Sequence, residues 1–414
     1  MKLKKLIPIL ILFTILLDNF LSMSGNIQKD NRIKFMEILH GGNVLTNKKI
    51  INIPFTIKGP HIILIKAKIN KNKKSEYFVF DTSGQTILDL SLTKKYKIKT
   101  EELKDGIYLS KLKSISFKEI TINDYSPFIM DFSKKFGNLI QTSGVNLAGM
   151  IGCDLLKFFT ITIDYKNKFI TLTTSNNNLK SKNKNQFLLD MKILFPYHPS
   201  IKININDKIT LDGRIDTGFM YSVGLPIRMI NKLLTVEDKK ALIKSKGAFA
   251  LWPGAETKFN YLYKFNKIKI GNIVLKNQPV IFGEFPKALG NNYIILGKTF
   301  LENYKTTIDF KKRKVLFSKL KNNNKSLSFS IGINIIKKNN CVLVNGIWKN
   351  SPADIRGIKL GDIVLTINNK HTKSVPLNTI YNILYDKSIK RIKLRIKKSN
   401  GEIISLILYK KYLI

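Results

Sequence analysis

Two aspartates at strand ends constrain this chain more than any other feature. Tyr77-Phe78-Val79-Phe80-Asp81-Thr82-Ser83-Gly84 is a strand-forming run that stops in a polar, glycine-bearing turn, and Arg214-Ile215-Asp216-Thr217-Gly218 repeats the ending. A single Asp-Thr-Gly is an ordinary turn signal. The residues downstream of each copy give the pair its weight. Met150-Ile151-Gly152 and then Asp164 come after the first; Ile295-Leu296-Gly297 and then Asp309 come after the second, with 12 residues from glycine to aspartate in both. Between them, Leu112 to Phe117 with Ile120 and Ile122 answers Phe265 to Ile270 with Ile273 and Leu275. Three blocks in one order mark an internal duplication of a whole domain. Two facing loops of this kind bring two carboxylates into one site, where they share a proton. One then serves as base and the other as acid towards a single water.

With these blocks the chain resembles the pepsin and retropepsin class of aspartic proteases over about residues 50–317, most closely the bacterial, exported, retropepsin-like proteases that carry a PDZ domain. The resemblance implies two β-barrel lobes and a catalytic pair, Asp81 and Asp216. It also implies loop support from Thr82, Ser83, Gly84, Thr217, Gly218, Gly152 and Gly297, with the threonines bonding across the lobe interface. Two positions depart from the family pattern. Ser83 stands where glycine is expected, with Gly84 one place late, and Phe219 stands where a small residue is expected. They motivate a second reading, a catalytically degenerate relative that binds peptides without cutting. Asp164 and Asp309 precede lysine-rich turns and read as turn residues.

Length and patterning agree with several mainly β domains. At 414 residues and 44% apolar residues the chain has ample core for two to four domains. Residues 1–24 have the form of an export signal: Lys2, Lys4 and Lys5, an apolar run, then Ser22 and Ser24 before Gly25. The expected organisation continues with an N-terminal extension (25–50), a first lobe (51–175), a linker (176–186), a second lobe (187–317), a second linker (318–326) and a C-terminal domain (327–414). In the first lobe, residues 106–125 are the best candidate for a flap and the strand after it. In the second, 225–234 and 236–246 read as helices, and a turn at 250–254 brings Trp252 near the cleft.

The C-terminal segment carries Ser330-Ile331-Gly332-Ile333, then Ser351-Pro352-Ala353 and Gly361-Asp362-Ile363. In that order they strongly resemble a bacterial PDZ domain, a β-sandwich with two helices. The resemblance implies that Ser330, Ile331, Gly332 and Ile333 hold the terminal carboxylate of a peptide added to a sheet edge, beside a helix at 379–385. Ile331 and Ile333 fit a core role equally well. The polar second linker reads as a tether, with the PDZ domain recruiting substrates.

The charge excludes less than it suggests. Lys and Arg number 71 against 28 Asp and Glu, for a net charge of +43, which points first to nucleic acid. The basic residues are spread along the chain, however, with lysine in great excess and no nucleic-acid fold signature. Attraction to an anionic membrane surface follows from the charge alone. Cys153 and Cys341 fall in different expected domains and read as free thiols. His40, His61, His198 and His371 have no metal-ligand spacing and no partner Ser or Cys motif. No cofactor or metal is expected. The reading is therefore an exported endopeptidase of the periplasm or cell envelope, anchored if its signal stays uncleaved. It acts on peptides or proteins and works as a monomer, since both aspartates lie in one chain.

Overall fold

The computed structural model describes residues 40–104, 106–174, 179–247, 249, 259–285, 292–320 and 329–414. The export signal, most of the N-terminal extension and the turn at 250–254 with Trp252 lie outside the described residues. The described residues are mainly β, with 51% strand and 15% helix.

Each aspartate strand is sandwiched in the same way. Glu76–Phe80 runs antiparallel to Ile62–Ile69 on one side and parallel to Leu147–Ile151 on the other. Ile209–Ile215 runs antiparallel to His198–Ile205 and parallel to Tyr293–Leu296. A strand with neighbours on both sides and cover on both faces reads as a continuous apolar run rather than an alternating one. Phe78, Val79 and Phe80 are accordingly all buried. The third strand of each set turns back to pair antiparallel with the strand after the loop, Ile87–Asp89 in the first repeat and Val223–Pro226 in the second. Each aspartate loop is thus enclosed by its own repeat.

A six-stranded sheet joins the repeats. Thr160–Asp164 pairs with Tyr304–Asp309, placing Thr162 level with Thr307, and the two hydroxyls hydrogen-bond at 2.9 Å. Asp164 and Asp309 close turns by accepting from Asn167 N and Lys312 N. Gln186–Asp190 and Ile50–Pro54 form the outer edges of this sheet. Several expected boundaries therefore move. Gly41–Leu45 pairs with Ile120–Tyr125 and belongs to the first repeat, not to an extension. Gln186 is already strand, and Ser318 and Lys319 still are. The hairpin expected at 106–125 has its first arm earlier, at Thr100–Lys104, paired with Ile107–Ser110.

The two helices expected after Asp216 are present but shorter. Val223–Pro226 is strand, the first helix runs as a 3-10 turn, Ile227–Met229, into Ile230–Leu233, and the second is confined to Val236–Lys240. Thr235 and Asp238 cap the second helix reciprocally, but Ile243–Gly247 is a strand with Ser245 buried and Lys244 and Lys246 exposed. That period-two pattern is hidden in a lysine-rich stretch.

The C-terminal domain has a hydrophobic core of its own, built around Ile331, Ile335, Val344, Ile380 and Leu394. It does not hang from a tether, contrary to expectation. Its strand Cys341–Trp348 pairs with Ile243–Gly247 of the second repeat, Ser245 level with Trp348 and Gly247 with Gly346. Trp348 stacks on Phe249 at 4.4 Å between ring centroids and joins a cluster with Phe219, Leu262, Phe285 and Tyr293. On the opposite side its helix Leu377–Tyr385 packs on helix Phe132–Ser143 of the first repeat. Gly59 N donates to Asn378 Oδ1 at 2.6 Å.

The junction yields a prediction. Trp348→Ala removes a buried aromatic from that cluster and should cost about 3–5 kcal/mol. The repeats and the C-terminal domain should melt in one transition, and truncation after Ser318 should destabilise the second repeat. Two well-separated transitions by calorimetry, or a Trp348→Ala loss of well under about 1 kcal/mol, would count against a shared structural unit.

Candidate active site

The loops begin alike. Asp81 N donates to Ile151 O at 3.0 Å and Asp216 N to Leu296 O at 2.9 Å, each extending a parallel ladder by one step. Gly152 and Gly297 lie directly beneath. A Cβ on Gly152 would meet Gly84 O at 2.3 Å, and one on Gly297 would meet Tyr221 O at 2.2 Å. Close backbone approach, not unusual torsion, demands glycine there.

Two threonines lock the loops together. Thr82 N donates to Thr217 Oγ1 at 3.0 Å, and Thr217 N donates to Thr82 Oγ1 at 3.1 Å. Each hydroxyl in turn donates to the opposite strand, Thr82 to Ile215 O at 2.7 Å and Thr217 to Phe80 O at 3.2 Å. Both threonines are fully buried, so every one of these groups would otherwise stand unpaired at a cost of about 1–3 kcal/mol each.

This lock brings the carboxyls of Asp81 and Asp216 together, close enough for each to influence the protonation of the other. Ser83 N donates to Asp81 Oδ1 and Gly218 N to Asp216 Oδ1, both at 2.8 Å. The Gly84 and Gly218 amides also lie near Asp81 and favour its ionised form. A Cβ on Gly218 would stand 2.5 Å from Asp81 Oδ2, and one on Gly84 3.0 Å. Asp216 is 3% exposed, while Asp81 is half-buried. Burial pushes the Asp81 carboxyl up, partly offset by the amides of Ser83, Gly84 and Gly218. Burial pushes Asp216 well above the usual carboxylate range, the neighbouring Asp81 charge adds to this, and the Gly218 amide and Arg214 oppose it. Such a pair retains one proton where isolated carboxyls have lost theirs.

The two odd residues are accommodated without blocking the pair. Phe219 is buried among Phe285, Tyr293 and Trp348. Its ring fits because Gly224 leaves space: a Cβ there would meet Phe219 Cζ at 2.5 Å. Strand pairing gives Gly224 the place that Ile87 has in the first repeat. Ser83 turns its hydroxyl to His198 Nδ1, 2.9 Å away. No Ser or Cys motif accompanies this histidine in the sequence, and the bond is made at long range; among the described residues no carboxylate is bonded to His198 to make a triad. Comparing the repeats would have exposed it: Ile62 pairs towards Asp81 as His198 does towards Asp216, so a histidine replaces an isoleucine.

Sequence reasoning also missed Asp154, which is fully buried beneath the first loop. Its Oδ1 accepts from Thr86 N at 2.7 Å and Thr86 Oγ1 at 2.9 Å, Tyr125 donates to its other oxygen, and Thr86 Oγ1 accepts from Gly152 N at 3.0 Å. In the second repeat Thr299 stands at the matching place and donates to Met220 O at 2.8 Å. Among the described residues no group of His, Cys, Asp and Glu is arranged to hold a metal ion. Cys153 and Cys341 are free thiols.

In the C-terminal domain, Ile331 and Ile333 are core, at 0% and 2% exposed. Gly332, with φ of +87°, needs its glycine because a Cβ would meet Ser351 Cβ at 2.1 Å. Gly332 N is taken by Ser330 Oγ at 2.9 Å. Of this loop, then, the side chains brace the domain rather than line a groove. Tyr381 Oη donates to Ile335 O at 2.7 Å, spanning from helix Leu377–Tyr385 to strand Ile333–Lys338.

Comparison with known families adds to this geometry. Residues 317–397 match the PDZ domain family, so the chain carries a PDZ domain, which implies a peptide ligand. Residues 60–122 match the secretion system C-terminal sorting domain, and this implies an exported protein. Here the matched segment forms strands from Ile62–Ile69 to Ile120–Tyr125, including the first aspartate strand. No curated protein matches the chain. No helix among the described residues is long and apolar enough to cross a membrane.

The raised carboxyl of Asp216 has a consequence for stability. The unfolded chain releases this proton near 3.8, whereas the folded chain holds it to higher pH, so stability falls as pH rises through that interval. Asp216→Asn should therefore raise the melting temperature at neutral pH, and the gain should vanish below the ordinary carboxylate value. A variant that gains more in acid than at neutral pH would contradict the burial of this charge.

Proposed function

We propose that the chain is an exported aspartic-type endopeptidase of the periplasm or cell envelope, with Asp81 and Asp216 sharing a proton around one lytic water. The observation that carries this reading is the pair of crossed threonine bonds, which set the two carboxyls beside each other in one buried site. The ionised carboxyl takes a proton from the water, which attacks the peptide carbonyl. The protonated carboxyl donates its proton to the carbonyl oxygen. As the tetrahedral intermediate collapses, the carboxyl that took the water's proton delivers it to the leaving amine, and the hydroxyl proton returns to the first carboxyl, restoring the pair. Proton sharing lets a single pair perform both tasks near the pH where one proton remains. Phe219 and Ser83, the residues that would favour a non-cutting binder, both point away from the carboxyl pair. Both aspartates come from one chain, so a monomer suffices. The PDZ domain contributes peptide binding from a fixed position against both repeats, with the Tyr381 bridge to be broken before a peptide can pair along Ile333–Lys338.

Purified protein should cleave members of a broad peptide library, and Asp81→Asn or Asp216→Asn should each lower kcat at least about a thousandfold. The activity should be bell-shaped in pH, lost in acid when both carboxyls are protonated and lost again when the shared proton leaves. A statine-type inhibitor should block it. Undiminished cleavage in both variants would refute the assignment.

A further inference from the structure

We propose that His198 and Ser83 form a clamp across the repeats that positions Asp81 against Asp216 and so determines how tightly the two share their proton. The inference rests on the protease reading above and adds positioning residues to it.

The connection is short and continuous. His198 Nδ1 meets Ser83 Oγ at 2.9 Å, and the amide of the same Ser83 donates to Asp81 Oδ1 at 2.8 Å. His198 belongs to the second repeat, on the strand beside Ile209–Ile215, where Ser200 lies level with Arg214. Two residues further brings His198 level with Asp216. One side chain therefore reaches from beside the second aspartate to the loop that carries the first.

The duplication supplies an internal control. Ile62 has the place of His198 in the first repeat and is 2% exposed, and Gly218 has the place of Ser83. The fold thus accepts an aliphatic residue and a glycine at these positions. Gly218 sits so close that a Cβ would meet Asp81 Oδ2 at 2.5 Å. Ser83 carries the Cβ that its counterpart cannot, and its hydroxyl is engaged on the far side. Burying an imidazole where isoleucine fits costs free energy unless its polar atoms are used. The use visible here is the bond to Ser83.

His198 is 4% exposed and is held in its neutral form. Burial is the main cause, and the Arg214 charge reinforces it. The charged groups around it are Arg214 and Asp216 on the adjacent strand and Asp81 through Ser83. On its other side it is level with Leu194, and Lys157 lies over the ring of the preceding Tyr197 at 4.0 Å. A neutral ring keeps one nitrogen lone pair and one N–H, so the Ser83 bond persists across the working range of the pair.

Like charges raise each other's pKa more when they are closer. Releasing the clamp should let the carboxyls separate, lowering the upper titration step of the pair and moving the alkaline limb of activity to lower pH. Ser83→Ala and His198→Phe are expected to lower kcat about tenfold each with little change in KM, as for loss of one positioning hydrogen bond. The double variant should be no slower than the slower single variant. His198→Asn, whose amide can replace Nδ1, should stay near wild type. The decisive measurement is carboxyl-carbon NMR titration of Asp81 and Asp216 in full-length protein, which needs no substrate. A fall of the upper step in Ser83→Ala and His198→Phe, with His198→Asn unmoved, supports the clamp even if wild-type protein cleaves no peptide, in which case only the protease reading fails. An unmoved titration, or additive losses of kcat in the double variant, overturns the clamp while normal wild-type cleavage leaves the protease reading intact.

Discussion

The crossed bonds between Thr82 and Thr217 are the interaction on which the rest depends. Each threonine uses both its amide and its hydroxyl across the boundary between repeats. In a fully buried setting, breaking one bond strands a partner as well, so the four stand or fall together. Everything polar about the site is referenced to that lock. The amides that hold the carboxyls come from residues one and two places beyond the threonines, and Gly152 and Gly297 support the loops from below. The six-stranded sheet keeps the two repeats in register from the far side.

The duplication is symmetric in backbone and asymmetric in side chains. Ile87 and Gly224 occupy matching places, and the missing side chain at Gly224 is filled by the Phe219 ring. Ile62 and His198 match, and the imidazole is answered by Ser83. Asp154 and Thr299 match, each bracing its loop by a different bond. Each departure from the repeat is paired with a compensating one, as consistency across levels requires. Phe219 and Ser83, taken alone, look like damage to a catalytic motif. Taken with their partners, each is answered locally, Phe219 by the space at Gly224 and Ser83 by the imidazole of His198.

How much was legible in the sequence depended on the range of the signal. The aspartates, their threonines and the supporting glycines stood out because the same spacing occurs twice. The PDZ domain stood out because its turn residues come in a fixed order. The bond between Ser83 and His198 was missed because its partners are 115 residues apart and a lone histidine carries no pattern until the repeats are laid side by side. Residues 236–246 read as helix because lysines mask the alternation that makes Ile243–Gly247 a strand. The docking of the PDZ domain could not be read at all, since the pairing of Ser245 with Trp348 leaves no mark on either segment.

That pairing also dictates an order of events during synthesis. Strand Ile243–Gly247 has Tyr261–Ile270 as one neighbour and Cys341–Trp348 as the other. Until the later strand has been made, the earlier one presents an open edge beside Phe249 and the Phe219 cluster, a template for pairing with other chains. Long-range strand pairing is slow to form and leaves such surfaces exposed meanwhile. A chain of this design is most vulnerable to aggregation when the second repeat is complete and the PDZ domain is not, and it benefits from staying unfolded until its C-terminal strands have emerged.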